Sequence, residues 1–165
     1  MKPLISPAEV VRLAFGSNYS LHERDIPEST ILAAQYRLLR PMVGRTLYSR
    51  LVSEEEATAA APSITALAER LRTPLALYVV ALLLPSLAAR VGSLGVVRLE
   101  GEGFESADEA TVARLCSRLR HDADALLDEA TDYLLDNPTL YPDYNPHADI
   151  RRHISLSGGI LLGRA

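Results

Sequence analysis

The stretch that decides the fold runs from Ser106 to Pro138, SADEATVARLCSRLRHDADALLDEATDYLLDNP. Ser106-Ala107-Asp108-Glu109 has the form of a capping box, in which a hydroxyl and a carboxylate three residues apart satisfy each other's free backbone N–H groups. No Gly or Pro follows until Asn137-Pro138, which stops the helix. The spacing predicts one helix over 107–136, about 45 Å long at 1.5 Å per residue. One heptad row carries Val112, Leu119, Leu126 and Tyr133, and its neighbour carries Cys116, Ala123 and Ala130. Large residues beside small ones admit a close helix partner, so these seven positions read as the packed seam. The opposite face carries Asp122, Asp124, Asp128, Asp132 and Asp136.

Working upstream, Gly101 and Gly103 sit in an acidic turn, Glu100-Gly101-Glu102-Gly103, and Val96-Val97-Arg98-Leu99 has strand composition. The segment 94–105 therefore reads as a short β-like arm or hairpin between two helices. Before it lies the strongest apolar run, Leu75 to Leu84 between Pro74 and Pro85. Its ten residues are half the length a membrane span needs, about 20. It reads as a core helix from Thr73-Pro74 to about Val91, kinked at Pro85. Ser63–Leu71 reads as a separate helix, with Ile64, Leu67, Ala68 and Leu71 on one face. Further back, Asp25-Ile26-Pro27-Glu28 opens a helix that Arg40-Pro41 ends or kinks, and a short helix spans about 43–52. Ser6-Pro7-Ala8-Glu9 opens the first helix, which Gly16 stops after Phe15.

Downstream of the long helix the chain changes character. Leu140-Tyr141-Pro142-Asp143-Tyr144-Asn145-Pro146 is a Pro/Tyr loop. Ile154-Ser155-Leu156-Ser157 and Ile160-Leu161-Leu162 flank Gly158-Gly159, which suits a small hairpin or an apolar tail that orders against a partner. The expected organisation is a helical domain over 1–146 and a tail or small hairpin over 147–165.

Composition agrees with a mainly α bundle of four to five helices. The chain has 165 residues, 48% hydrophobic and 23% charged, one domain's worth of apolar material. Leu and Ala dominate, with two Phe and no Trp. The formal charge of −4 argues against a dedicated nucleic-acid binder. It is uneven: residues 1–82 carry a net +1 and residues 83–165 a net −5. A single cysteine, Cys116, excludes an intramolecular disulfide and a multi-cysteine zinc site. No targeting segment is visible, and a reducing cytoplasm is the expected place of synthesis.

Candidate chemistry is sparse. His147 and His153 lie near Asp143 and Asp149, but their spacing matches no metalloenzyme motif, and a solvated polar tail is the simpler reading. Cys116 falls on the apolar seam and reads as a buried structural thiol. Asp124, Asp128 and Asp132 share one helix face, readable as a cation site, a solvated surface or a patch that meets Arg of a neighbour. No nucleophile elbow, zinc-helix or nucleotide-binding motif occurs. No catalytic, cofactor-binding or metal-binding residue is expected, and the chain does not read as an enzyme.

Several stretches taken together resemble a known type. Leu4-Ile5-Ser6-Pro7-Ala8-Glu9-Val10 leads to Ile26-Pro27 and a helix with Ile31, Ala34 and Tyr36. Arg40-Pro41-Met42-Val43-Gly44-Arg45-Thr46-Leu47-Tyr48 follows, then the kinked apolar helix, Gly95-Val96-Val97, and a long helix ending in Asn137-Pro138-Thr139-Leu140-Tyr141-Pro142. Over residues 4–145 this resembles the small helical head–tail connector proteins of tailed phages and prophages, especially relatives in gut Bacteroidetes genomes. The segment 154–165 lies outside the resemblance.

The resemblance implies a structural virion protein with no cofactor. Such a protein sits at the virion neck and is assembled in the host cytoplasm. It forms a closed ring of about twelve copies beneath the portal. Its partners are its own copies, the portal and tail proteins, with DNA only passing through the lumen and no membrane involved. The assembly residues expected are Val96, Val97, Leu99 and Phe104 in the arm and Ile154, Leu156, Ile160 and Leu161 in the tail. A net negative charge suits a channel in which DNA slides, since lumenal Lys/Arg would hold phosphates. The rival reading is a host-encoded helical interaction module, an adaptor or chaperone without a virion role.

Overall fold

A computed structural model describes residues 2–15, 21–55, 61–92, 95–98 and 108–148. Helices dominate: α1 (Pro7–Phe15), α2 (Glu28–Glu55), α3 (Pro62–Ala88) and α4 (Glu109–Asp136). Two short strands, β1 (Ala89–Gly92) and β2 (Gly95–Arg98), lie between α3 and α4. Single 3-10 turns occupy Glu23–Asp25 and Pro146–Ala148.

α3 is the centre of the bundle. It packs against α1, α2 and α4, whereas α4 leans principally on α3. That explains its composition: Ile64, Leu67, Leu71, Leu75, Ala76, Val79 and Val80 are all buried, and its exposed charged residues, Glu69 and Arg70, lie in its first half. α3 and α4 run antiparallel. The Arg70 guanidinium lies over the Tyr133 ring and the Tyr141 hydroxyl reaches the Ser63 carbonyl, so the start of α3 lies beside the end of α4.

The two helices expected at 63–71 and from Thr73-Pro74 are one. Pro74 removes one backbone donor, yet buried residues continue on both sides of it, from Leu67 and Leu71 to Leu75 and Val79. Continuous burial outweighs the loss of one hydrogen bond. α3 ends at Ala88, not near Val91, because 89–92 pair with 95–98. The register is antiparallel, with Arg90 opposite Val97 and Val91 opposite Val96. The strand pair thus begins before the expected arm at 94–105, and residues 99–105 lie outside the described residues.

α2 turns at a different residue from the one expected. The chain stays helical through Pro41 and breaks at Gly44, where φ is 80° and ψ 165°. Only glycine adopts that region without strain. The helix expected over about 43–52 extends further, and Ser53-Glu54-Glu55 forms the last turn of α2.

α4 starts at Glu109, and its cap is Asp108, whose Oδ1 accepts from the Thr111 N–H at 3.2 Å. The capping frame is therefore displaced two residues from Ser106. Asp-x-x-Thr satisfies the same free N–H as Ser-x-x-Glu, so two overlapping signals compete and the later one prevails. The buried seam is also displaced. Cys116, Ala123, Leu127, Ala130, Thr131 and Leu134 are buried, while Val112, Leu119, Leu126 and Tyr133 are half-buried. A strict heptad row drifts about 20° per repeat on a straight helix, so 112/119/126/133 lies at the margin of the buried face, where Leu119 and Tyr133 still pack against the core. Leu127 and Leu134 take its place. At the far end the Asn137 side chain donates to the Tyr133 carbonyl at 2.9 Å, and Pro138 prevents continuation.

Candidate functional site

The capping box at the first helix forms as the sequence predicts, and it opens a cleft. The Ser6 N–H and Oγ both donate to Glu9 Oε2, at 2.8 and 3.0 Å, and the Glu9 N–H donates back to Ser6 Oγ at 3.2 Å. The other Glu9 oxygen accepts from the Arg72 guanidinium at 2.7 Å, which ties α1 to α3. Burial alone would raise the Glu9 carboxyl. The Ser6 backbone and hydroxyl, then Arg72 and Arg12, more than offset it and hold the group below its ordinary value of 4.5. A cleft of about 370 Å³ lies beside this pair, lined also by Lys2, Leu4, Glu28 and Val52. Leu4, one of its lining residues, is also held by a buried polar link. Gln35 Oε1 accepts from the Leu4 N–H at 3.0 Å, and its Nε2 donates to the Tyr48 hydroxyl at 2.9 Å. One side chain thus joins the N-terminal segment to both sides of the Gly44 turn. Ser6, Glu9, Arg72, Gln35 and Tyr48 all serve here to hold elements together.

A second polar cluster clasps the segment after α4. Tyr141 is 1% exposed and donates to the Ser63 carbonyl at 2.6 Å. Its hydroxyl lies 3.3 Å from that of Tyr133, and the two rings meet edge to face at 5.8 Å. The Arg70 guanidinium covers Tyr133 at 3.8 Å from the ring centre. Burial, reinforced by the Tyr133 hydroxyl, pushes the Tyr141 phenol far above its ordinary range, so it stays a neutral donor. Nearby, Arg50 pairs with Glu54 at 2.7 Å and with Asp143 at 3.4 Å. The expected Pro/Tyr loop is therefore part of the core at Tyr141.

The residues expected to serve assembly are not brought together as a described site. Val96 and Val97 lie on β2, opposite Val91 and Arg90. Leu99, Phe104, Ile154, Leu156, Ile160 and Leu161 lie outside the described residues, as does His153. His147 is exposed and Cys116 buried. Among the described residues no group of three or more His, Cys, Asp or Glu is placed to hold a metal ion. Nor, among them, is any helix long and apolar enough to cross a membrane. The aspartates of α4 are all exposed, and Asp122 meets Arg118 at 3.8 Å.

The sequence reading singled out none of Gln35, Arg72 and the tie that Tyr141 makes to Ser63. A glutamine inside an apolar row is itself a signal, because a buried amide must find partners. Also unread was the contrast between a basic α2 surface and an acidic α4 surface.

What the fold defines is a small helical bundle with a short strand pair between the antiparallel helices α3 and α4. Residues 39–154 match the model of a family of unknown function, DUF6712, and the chain belongs to that family. The matched span covers most of α2, all of α3, the strand pair and α4. No curated protein and no solved structure matches the chain.

Proposed function

We propose that the protein is a head–tail connector of a tailed phage or prophage, a structural ring subunit that seats beneath the portal and passes DNA through its lumen. The observation that carries this reading is the arrangement of α3, the strand pair and α4. Two long antiparallel helices flank a β segment, while α1 and α2 brace α3. A ring subunit needs a rigid body and a separate element that reaches a neighbour, and this order of elements supplies both. The net charge of −4 suits a channel that lets DNA slide instead of holding it. The proposed role is structural, without a cofactor, and the place of action is the virion neck after assembly in the host cytoplasm. The expected contact residues remain Val96, Val97, Leu99 and Phe104 with Ile154, Leu156, Ile160 and Leu161.

The test is solution mass together with negative-stain imaging, with and without a portal protein from the same genome. A closed ring on the portal supports the reading. A protein that neither binds portal nor forms rings, in a gene neighbourhood lacking portal, terminase and capsid genes, overturns it in favour of a host interaction module.

A further inference from the structure

We infer that the outer faces of α2 and α4 are the two halves of one contact between copies of this chain. The inference deepens the ring reading, on which it rests for the assembly it serves. From Ser29 to Ser49, α2 carries Arg37, Arg40 and Arg45 and no Asp or Glu. Arg37 and Arg45 are exposed, and none of the three forms an ion pair among the described residues. Arg40 lies over the Tyr36 ring at 5.5 Å, and Tyr36 is 43% exposed. This is an arginine surface with an aromatic at its middle, the composition that anchors protein contacts.

From Asp122 to Asp136, α4 carries six acidic residues and no Lys or Arg. All six are exposed. Like charges four residues apart, as at Asp128, Asp132 and Asp136, repel and weaken a lone helix. α2 and α4 both lean on α3 and are not principal neighbours of each other. The two charged faces are therefore two different surfaces of one molecule, which a second copy can join head to tail. Guanidinium forks pair with carboxylates in bidentate geometry, so the contact has direction as well as attraction. A contact between two different surfaces is heterologous, and it closes into a ring when the rotation between copies allows.

The full-length chain tests this by sedimentation at rising concentration, using R37E/R45E and E129R/D132R. These four positions are exposed, so circular dichroism and melting temperature should match wild type. Wild type is expected to self-associate, and raising ionic strength to about 1 M, where charges are screened within ~3 Å, should weaken association about tenfold. Each variant alone should lose association at least about tenfold, while an equimolar mixture of the two recovers it, because the mixture restores one native face against the other. Association that survives both reversals overturns the inference, as does a mixture that stays monomeric. So does a wild-type chain whose arginines bind duplex DNA without self-association. Failure of the connector reading looks different: the contact behaves as described but no portal binding occurs. A ring on the portal that tolerates both reversals preserves that reading and removes this contact.

Discussion

Gly44 is where the chain's local chemistry and its fold meet most directly. The turn inside α2 holds φ at 80° and ψ at 165°, a conformation reserved for glycine. A Cβ added there meets nothing within 4 Å, so any penalty comes from the backbone alone. Gly44→Ala should destabilise by about 1–3 kcal/mol in denaturant titrations, with an unchanged m-value. Across the turn, Gln35 holds Leu4 and Tyr48 together, and burial already pushes the Tyr48 phenol above its ordinary value despite that hydrogen bond. Gln35→Leu keeps the volume but strands two polar groups, and should cost about 1–3 kcal/mol. The cost should shrink in a Tyr48→Phe background, where one of those groups is gone. Glu9 sets a pH signature. Its carboxyl sits below 4.5 in the folded state, so its contribution is present above that value and is lost as pH falls through the lowered one. At neutral pH, Glu9→Gln should be about 0.5–1 kcal/mol less stable than wild type, and the two should converge once the pH has fallen below the lowered value. A gap that stays constant down to acid pH would show that the Arg72 pair adds nothing.

The elements show which signals a sequence carries and which it hides. The first helix was legible residue by residue, because Ser6 and Glu9 act within one turn of each other. The long last helix was legible in extent, since charged and apolar residues alternate without Gly or Pro from 109 to 136. Prolines were over-read. Pro41 and Pro74 mark breaks by local rules, but the burial of Met42, Val43, Leu71 and Leu75 beside them keeps the helices running. Which residues of α4 face α3 depended on a partner whose position no local pattern specifies. The heptad row at Leu126 seemed as good as its neighbour at Leu127, and the structure buries Leu127 completely. Gln35, Arg72 and Tyr141 were illegible because their partners lie 31, 63 and 78 residues away. The distinction between rows is measurable. Leu127→Ala should cost about 2–5 kcal/mol, as removal of a fully buried leucine does. Leu126→Ala should cost under about 1.5 kcal/mol, because part of its surface already faces water. Equal costs at the two positions would mean that α4 is rotated from the orientation described.

At the scale of the whole molecule, stability is concentrated at one end. Near the start of α3 and the end of α4, Leu127, Ala130, Leu134 and Tyr141 join the main core, and the Tyr141–Ser63 and Arg70–Tyr133 contacts lock the two helices together. Toward the strand pair the packing thins. Between Glu109 and Asp122 only Cys116 is buried, Leu115 is 44% exposed, and Leu87 at the end of α3 is 37% exposed. Local opening follows the density of buried contacts, so amide exchange should be graded along α4 rather than uniform. Amides of 110–121 should exchange at least about tenfold faster than those of 124–134, a difference of ~1.4 kcal/mol in opening free energy. The gradient has a functional consequence under the connector reading. An end with little packing of its own is the end a neighbouring subunit would complete, and exchange at 110–121 should slow on ring formation. Uniform protection along α4 in the lone chain would mean that α3 alone suffices to hold the whole helix, and the exposed leucines at 87 and 115 would then have no assembly role to explain.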